Sequence, residues 1–556
     1  MAQADRNEFL QGDGQPSISK LGNLTNSAAP NALPFLLEDY AGLATWQGKP
    51  IFNQQQVINQ IDSGATFNSK NGTITYTFLT TPGPVGHYNN PKHGSPEGAG
   101  YTPMSAAEQA VSREAVRLWD DLIPQKFVEK NGVGADIVMA NTTTGPAQAW
   151  AYYPDKSKVG SDVWTADPSV NWTNGWLGYG DYGRTTVVHE LGHSLGLSHP
   201  GDYNFSDDND GDGEPDPITY EADAFYAQDT EQFSIMSYFG PQKSGAQPIN
   251  VSVGLISNAQ TPLLHDILTI QSKYGADTTT RTGNTNYFSN SNAGNEVFDL
   301  AKNPFPYLAV YDAGGIDTFD FSTANSGVFI DLRPGAFSSA TLGYETLAKA
   351  NAATEAFNAV TDEAQGDFGL WDAASYADWI ATVQSIGASR VGSDTGIGGI
   401  TATSHRNISI AYNTIIENAS GGLARDYLVG NDVANSLSGN GGSDVLNGLG
   451  GNDRLSGGAG ADDFRFFQNS GNDVITDFAT GADKIRLTEI DANLNVAGDQ
   501  AFAFIGAAAF GNVAGQLRTY SQGGNNFVAG DTNGDGVADF TINLLTSTAA
   551  SGDFFF

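Results

Sequence analysis

Three imidazoles and one carboxylate stand within the eleven residues HELGHSLGLSH, His189 to His199, at a spacing that suits a metal ion able to activate water. The chain has only seven His in 556 residues, so three in one short stretch is a concentration that needs a reason. On a helix, His189 and His193 stand four apart and share one face, with Glu190 beside them where it can reach a water on the metal. Gly196 lets the chain turn back through a backbone conformation that other residues resist, which brings His199 in as a third ligand. Three protein ligands leave a fourth position open, as in a catalytic zinc site, and the chain has no Cys to close it. A helix whose His rings merely pack or face solvent would not require the five fixed positions of H-E-x-x-H-x-x-G-x-x-H together.

A second short stretch, SIMSY from Ser234 to Tyr238, follows the His motif and carries Met236, one of four Met. A lone Met in an apolar stretch is ordinarily core filler, but its place downstream of the His motif argues otherwise. The two stretches together resemble the metzincin metalloproteases, and Tyr238 with the rest of the chain selects the serralysin branch. The resemblance implies that Met236 forms an apolar floor under the three His, and that Tyr238 reaches the zinc and stabilises the oxyanion. It also implies that the segment around Ala149, Trp150 and Ala151 is an edge strand pairing with extended substrate, a form of β-augmentation. Read from the residues alone, QAWAYY (Gln148–Tyr153) is more simply an ordinary sheet strand.

Composition bounds the rest. The length suggests two or three domains. A formal net charge of −36 opposes binding to nucleic acid or anionic membrane and makes cations the expected partners. Without Cys there is neither a disulfide framework nor thiol chemistry. The first residues, MAQADRNEFLQGDGQPS, lack the basic segment and apolar run of a secretory signal, and no apolar stretch is long enough to insert in a membrane.

Residues 1–38 are polar and aperiodic and read as a flexible leader, where the resemblance implies a propeptide. Residues 39–254 read as an α+β catalytic domain. It has a helix over Ser105 to Leu122 and strands at Ile74 to Leu79 and Ile137 to Ala140. Residues 255–556 form the second expected domain, opening with an amphipathic helix from Pro262 to Tyr274. RTGNT (Arg281–Thr285) and YDAGGIDTFDFS (Tyr311–Ser322) resemble serralysin stretches that bind calcium at the domain junction. The implied ligands are the carbonyls of Arg281, Gly283, Thr285 and Gly314 with the side chains of Asp312 and Asp317. Oxygen-rich turns suit such a hard cation. Asn284 stands where the family more often has Asp.

From Gly430 the chain repeats every nine residues: GNDVANSLS, GNGGSDVLN, GLGGNDRLS and GGAGADDFR. Glycines 430, 439, 448 and 457 keep this phase, as do Asp444, Asp453 and Asp462, with Gly441 and Gly450 inside the turns. Leu437, Leu446, Leu455 and Phe464 supply one apolar residue per block. Stacked blocks (421–465) predict an all-β parallel β-roll, with carbonyls and carboxylates of neighbouring turns enclosing calcium. Asn435 replaces Asp in the first full block, and GGLARD keeps Asp426 but has Ala424 in place of Gly, so the outer sites are expected to be weaker. Residues 466–556 read as a cap. Within it Asp531, Asn533, Asp535 and Asp539 form either a further calcium loop or a plain Asx-rich turn.

The chain ends in Asp553, Phe554, Phe555 and Phe556, a tail that resembles the uncleaved signal read by type I export machinery; a docked apolar terminus is the plainer alternative. Two stretches depart from the serralysin pattern. One is the acidic segment 205–218 with Asp208, Asp210 and Asp212, a calcium loop or a solvated insert. The other is a helical insertion at 343–404. The expectation is therefore a secreted, extracellular, monomeric zinc endopeptidase, with one catalytic zinc and several structural calcium ions, acting on protein or peptide substrates. A surface-layer or adhesion protein would share the acidity and the tail but give no reason for the zinc constellation. A lipase would need a G-x-S-x-G nucleophile elbow, and the one such string, GHSLG at Gly192–Gly196, lies inside the His motif rather than at a separate elbow.

Overall fold

Asn53 and Ser105 are both followed three residues later by a side chain able to reach back, and both open helices. In the computed structural model, α1 (Gln54–Ile61) and α2 (Ala106–Asp120) begin with reciprocal capping boxes, Asn53 with Gln56 and Ser105 with Glu108. Each satisfies backbone N–H groups that a helix start leaves open, worth about 1 kcal/mol per cap. The structure describes residues 45–67, 72–81, 97–131, 134–154, 161–203, 217–361 and 368–556. The expected leader and Asp208, Asp210 and Asp212 lie outside the described residues.

Between and after these helices, β1 (Thr73–Phe78), β2 (Tyr101–Thr102), β3 (Lys126–Glu129), β4 (Ile137–Thr142), β5 (Ala149–Ala151) and β6 (Val163–Ala166) form one sheet. Its order is β3-β1-β4-β6-β5, with β2 pairing β4. The pairs within β3-β1-β4-β6 are parallel, and β5 joins β6 antiparallel at the edge, Trp150 opposite Trp164. Buried Val111, Ala115, Val116, Leu118 and Trp119 give α2 its core face. The indole N–H of Trp119 donates to the Val188 carbonyl at 3.1 Å, which ties α2 to α3 (Tyr182–Ser194) one residue before His189. Helix α4 (Leu264–Tyr274) lies beyond the domain boundary expected at residue 254, yet packs on α1 and shares the core of the N-terminal elements through Leu263, Ile267 and Ile270.

C-terminal to α4 the chain is built from short strands that alternate between two sheets. Strands 418–420, 436–438, 454–456 and 472–475 enter a ten-stranded sheet, while 427–431, 445–449, 463–467 and 484–489 enter a six-stranded one. Within each of these runs neighbours are parallel and offset by about two blocks, so that Leu428, Leu446, Phe464 and Ile485 lie side by side. The nine-residue phase has a direct cause in this geometry. One apolar side chain per block, Leu437, Leu446, Leu455 or Phe464, enters the space between the sheets, and all four are buried. The last strand, Phe554–Phe555, pairs parallel with Ile485–Arg486 and buries Phe554.

The helical insertion expected at 343–404 forms α5 (Leu347–Asn358) and α6 (Ala373–Thr395). The first half of α6 buries Tyr376, Trp379 and Val383 against Ile249, Val251 and Phe305. Its last turns bring Val391, with Ile397 and Ile400, onto Phe329, Val429 and Val445, on strands of the six-stranded sheet. Asp394 at the end of α6 meets His405 at 2.6 Å and Arg406 at 3.1 Å, and His405 donates through Nδ1 to the Gly245 carbonyl at 2.9 Å. Each fully buried apolar side chain is worth about 1.5–3 kcal/mol, so this helix straps the N-terminal part to the sheets far more firmly than surface ion pairs would. No helix among the described residues is long and apolar enough to cross a membrane.

Candidate metal centre and substrate edge

Helix α3 ends where the motif needs it to end. Leu195 caps it, and Gly196 follows at φ +93°, a left-handed conformation, with the Ala65 carbonyl so close that a Cβ would stand 2.2 Å from it. Leu197 N–H donates back to the Gly192 carbonyl at 2.9 Å, which redirects the chain so that His199 returns to the face of His189 and His193. The ring centroids lie 4.8 Å apart for His189–His193, 4.6 Å for His193–His199 and 5.4 Å for His189–His199. Among the described residues this is the only group of three or more His, Cys, Asp or Glu whose ligand atoms lie within 4.8 Å of one another.

Hydrogen bonding fixes which nitrogen of each ring faces that point. Nδ1 of His189 meets the Ile235 carbonyl at 2.8 Å, Nδ1 of His193 the Leu197 carbonyl at 2.7 Å, and Nδ1 of His199 the Tyr203 carbonyl at 3.3 Å. A carbonyl oxygen only accepts, so each Nδ1 carries the proton and each Nε2 presents a lone pair. His193 Nε2 and His199 Nε2 are 3.0 Å apart, and two lone pairs cannot satisfy each other. A cation between them resolves the conflict; tetrahedral zinc with Zn–N of about 2.0–2.1 Å would set such nitrogens roughly 3.3 Å apart. Burial also keeps the rings neutral, lowering His189 to about 4, His193 to about 3 and His199 well below the usual imidazole value. The residues present therefore fit a zinc ion.

Met236 is fully buried, and its sulfur lies against Gly192, where an added Cβ would stand 2.6 Å from it. Gly192, at a position the His motif leaves open, thus makes room for the Met turn. That turn is held by Asp266 of α4, which accepts from Ser234 Oγ at 2.6 Å, from the Ile235 N–H at 2.7 Å and from the Leu263 N–H at 2.8 Å. Asp266 was not legible as a site residue, since the sequence shows only one acid in an amphipathic helix. Tyr238 places its ring 4.4 Å from His199 and 6.1 Å from His189. Glu190, next to His189 on α3, is buried. Tyr153, half exposed, stands edge-on to His193 at 5.7 Å.

The edge strand lies beside this group. Gln148, just before β5, donates from Nε2 to Thr186 Oγ1 on α3 at 3.2 Å and is bonded to Asn171 and Asn174 as well. Ala149, Trp150 and Ala151 follow on the outermost strand, half-buried, with their second edge unpaired by any strand among the described residues.

A different chemistry recurs in the repeats. The Asp444 N–H donates to Asp462 Oδ1, Asp426 N–H to Asp444 Oδ1, Asn435 N–H to Asp453 Oδ1 and Asp453 N–H to Asp473 Oδ1, each at 2.8–2.9 Å. One oxygen of each aspartate is thereby spent on the neighbouring turn. The other, Oδ2 of Asp444, Asp453 and Asp462, is buried with no hydrogen-bond partner. A Cβ on Gly439 would stand 2.3 Å from Asp444 Oδ2 and 2.6 Å from the Gly457 carbonyl. Gly448 and Gly457 face Asp453 Oδ2 and Asp462 Oδ2 in the same way. Only glycine leaves these oxygen-lined cradles open, and orphaned carboxylate oxygens beside carbonyls fit calcium. Gly441 and Gly450 face the preceding turns, near Leu423 and Asp432. Burial, then repulsion from the next carboxylate, pushes Asp444 up to about 7, Asp453 to about 8 and Asp462 to about 6. At the outer end Asp426 differs: its Oδ2 already accepts the Gly422 N–H at 2.6 Å.

At the junction, Asp317 Oδ1 accepts the Thr285 N–H at 2.7 Å while its Oδ2 is buried and unpartnered. A Cβ on Gly315 would meet the Gly283 carbonyl and Asp317 Oδ1 together. Asp312 accepts from Tyr287 Oη at 2.7 Å and from the Gly314 N–H at 2.9 Å. Arg281, at φ +49°, turns its guanidinium to Asp121 and the Tyr311 carbonyl. Asn284 accepts the Ile316 N–H at 3.1 Å, so its amide is used in the turn. Glu417, which sequence reading passed over, accepts the Asp317 N–H at 2.7 Å. In the 531–539 loop the acids serve the backbone. Asp531 accepts from the N–H groups of Gly534 and Gly536, Asp539 from those of Thr532 and Asn533, and Asp535 from that of Val537; Asn533 accepts the Asp535 N–H.

Comparison with known proteins agrees with this architecture. The family described as "Peptidase M10 serralysin C terminal" matches residues 276–354 and 349–556, beginning directly after α4. The chain is 33% identical to metallopeptidase AprA of Pseudomonas marginalis over 93% of its own length and 94% of that protein's. It is 34% identical to metalloprotease AprA of Pseudomonas entomophila over 92% of each chain. To serralysin G of Dickeya chrysanthemi it is 34% identical over 80% of each. With similarity spanning both the His-bearing part and the stacked strands, the chain belongs to the serralysin family of metalloendopeptidases.

Proposed function

We propose that this chain is a secreted zinc endopeptidase that hydrolyses peptide bonds of extracellular proteins, with a C-terminal β-roll folded and stabilised by calcium. The observation that carries the reading is the triad in which all three Nδ1 atoms are spent on backbone carbonyls and the Nε2 lone pairs converge. His189, His193 and His199 would hold the zinc. When bound, the ion lowers the pKa of a coordinated water toward neutrality and polarises the scissile carbonyl. Glu190 takes the proton of the attacking water and hands it to the leaving amine. Ala149, Trp150 and Ala151 align the substrate backbone as an added antiparallel strand along the free edge of β5. Tyr238, its ring over His199, donates to the oxyanion.

Calcium is assigned to the cradles of Asp444, Asp453 and Asp462 with the Gly439, Gly441, Gly448, Gly450 and Gly457 turns. A junction site is assigned to the Arg281, Gly283, Thr285 and Gly314 carbonyls with Asp312 and Asp317, and a weaker outer site to Asp426. Export by type I machinery rests on the tail Asp553–Phe556, and the working unit is a monomer.

Casein incubated with calcium- and zinc-loaded protein should be cleaved internally, and removal of zinc by a chelator in excess calcium should stop the cleavage. Folded, zinc-loaded protein that cleaves no casein or mixed-peptide substrate would overturn the endopeptidase reading. Tyr238→Phe should lower kcat by roughly 10- to 100-fold with little change in KM, because the lost hydrogen bond is made mainly to the transition state. A change confined to KM would instead place Tyr238 in substrate binding.

A further inference from the structure

We propose that Asp229 is a positioning residue that locks the loop carrying the third zinc ligand onto the Met turn. The inference rests on His189, His193 and His199 being the zinc ligands. Asp229 is fully buried, and its Oδ1 accepts two hydroxyls, Tyr203 Oη at 2.9 Å and Ser237 Oγ at 2.8 Å. These hydroxyls belong to the two segments that complete the site from outside α3.

Tyr203 supports His199 in two ways. Its carbonyl accepts from His199 Nδ1, and its ring lies nearly parallel to the imidazole, 5.7 Å away at 12°. The same ring packs 5.1 Å from Tyr238 and 5.0 Å from Phe239. Ser237 sits between Met236 and Tyr238, and its Oγ also accepts the Phe239 N–H at 3.2 Å, so it sets the turn on both sides of Tyr238. A single carboxylate oxygen thus fixes the spacing between His199 and Tyr238. Asp229 therefore ties Tyr203 to the Met turn. It touches neither ligand nitrogens nor substrate in this reading, and it acts through Tyr203 and Ser237.

Groups that orient metal ligands typically change metal affinity or activity by about 10–100-fold when removed. Asp229→Ala, in the full-length calcium-loaded protein, should release zinc to a chelator at least about tenfold faster and lower kcat by about 10–100-fold with KM little changed. Cobalt-substituted protein should show an altered d–d spectrum. Asp229→Asn keeps an oxygen where Oδ1 stands and should restore zinc release and kcat toward wild type. It should lose thermal stability, since its amide nitrogen would replace the unpartnered Oδ2. Tyr203→Phe and Ser237→Ala each delete one hydroxyl and serve if Asp229→Ala does not fold; each should accelerate zinc release. Wild-type zinc release, kcat and cobalt spectrum in folded Asp229→Ala, or in both single-hydroxyl variants, would overturn the proposal, as would Asp229→Asn releasing zinc as fast as Asp229→Ala. Wild-type protein that holds no zinc at all would instead remove the zinc reading on which the proposal stands.

Discussion

Glu190→Ala is expected to retain stoichiometric zinc and lose nearly all hydrolysis of casein. The two halves of that result have separate causes. Zinc retention depends on His189, His193 and His199, whose Nδ1 partners are carbonyls of Ile235, Leu197 and Tyr203. Glu190 supplies none of these contacts. Hydrolysis depends on a base at the attacking water, and removing a positioned general base costs about 10²–10⁴-fold. Glu190 is buried on α3, so its truncation leaves a small void without disturbing the helix: Ala is the best helix former. Zinc content by atomic absorption and initial rates under saturating zinc and calcium read the two halves independently. Turnover within a few-fold of wild type would remove Glu190 from the mechanism, and loss of zinc with activity would make it part of the metal-binding structure instead.

The part of this site that could be read from the sequence is the part written in local spacing. His189 and His193 are four apart on a helix, Gly196 is the residue that a left-handed turn demands, and the nine-residue phase of Asp and Leu maps directly onto two stacked sheets. The β5 segment was legible as a strand, while its place at the sheet edge follows from a pairing order that no local pattern encodes. Asp266, Asp229, Tyr203 and Glu417 were missed for the same reason. Each acts across a long sequence separation, as in the contacts of Asp266 to Ile235 and of Asp317 to Glu417. The helices of the insertion were visible as helices, but their role as a strap required seeing Trp379 on Val251 and Val391 beside Val429. Gly192 illustrates the boundary well: the motif leaves its position open, and its cause, the sulfur of Met236, comes from a turn more than forty residues away.

Without calcium, the thermal midpoint of the C-terminal sheets should fall as pH rises from about 4 to about 8, and calcium should reverse that slope. The carboxylates of the stacked turns are held above their ordinary values by burial and, after it, by one another: Asp426 at about 8, Asp444 at about 7, Asp453 at about 8 and Asp462 at about 6. An unfolded aspartate titrates near 3.9. Between that value and the raised ones the folded chain binds more protons than the unfolded chain, so its stability decreases as pH increases and is greatest toward the low end of the window. Calcium replaces the protons at Asp444, Asp453 and Asp462, and its binding strengthens as the carboxylates ionise. Two sites held at 100-fold excess over their Kd would add about 5 kcal/mol. For a region of this size that is roughly 10–20 °C in midpoint. The stabilisation by calcium should therefore be large at pH 8 and much smaller at pH 5. Circular dichroism melts of the full chain, with and without chelator at both pH values, measure the four midpoints. Asp453→Asn supplies the control, because position 435 shows that an Asn can hold the same place in the stack when its amide finds the Glu417 carbonyl and Asn431 as acceptors. In that variant the calcium shift at pH 8 should shrink. A calcium shift of equal size at pH 5 and pH 8, or a chelated protein that becomes more stable toward pH 8, would show that these carboxylates are not where protons and calcium compete.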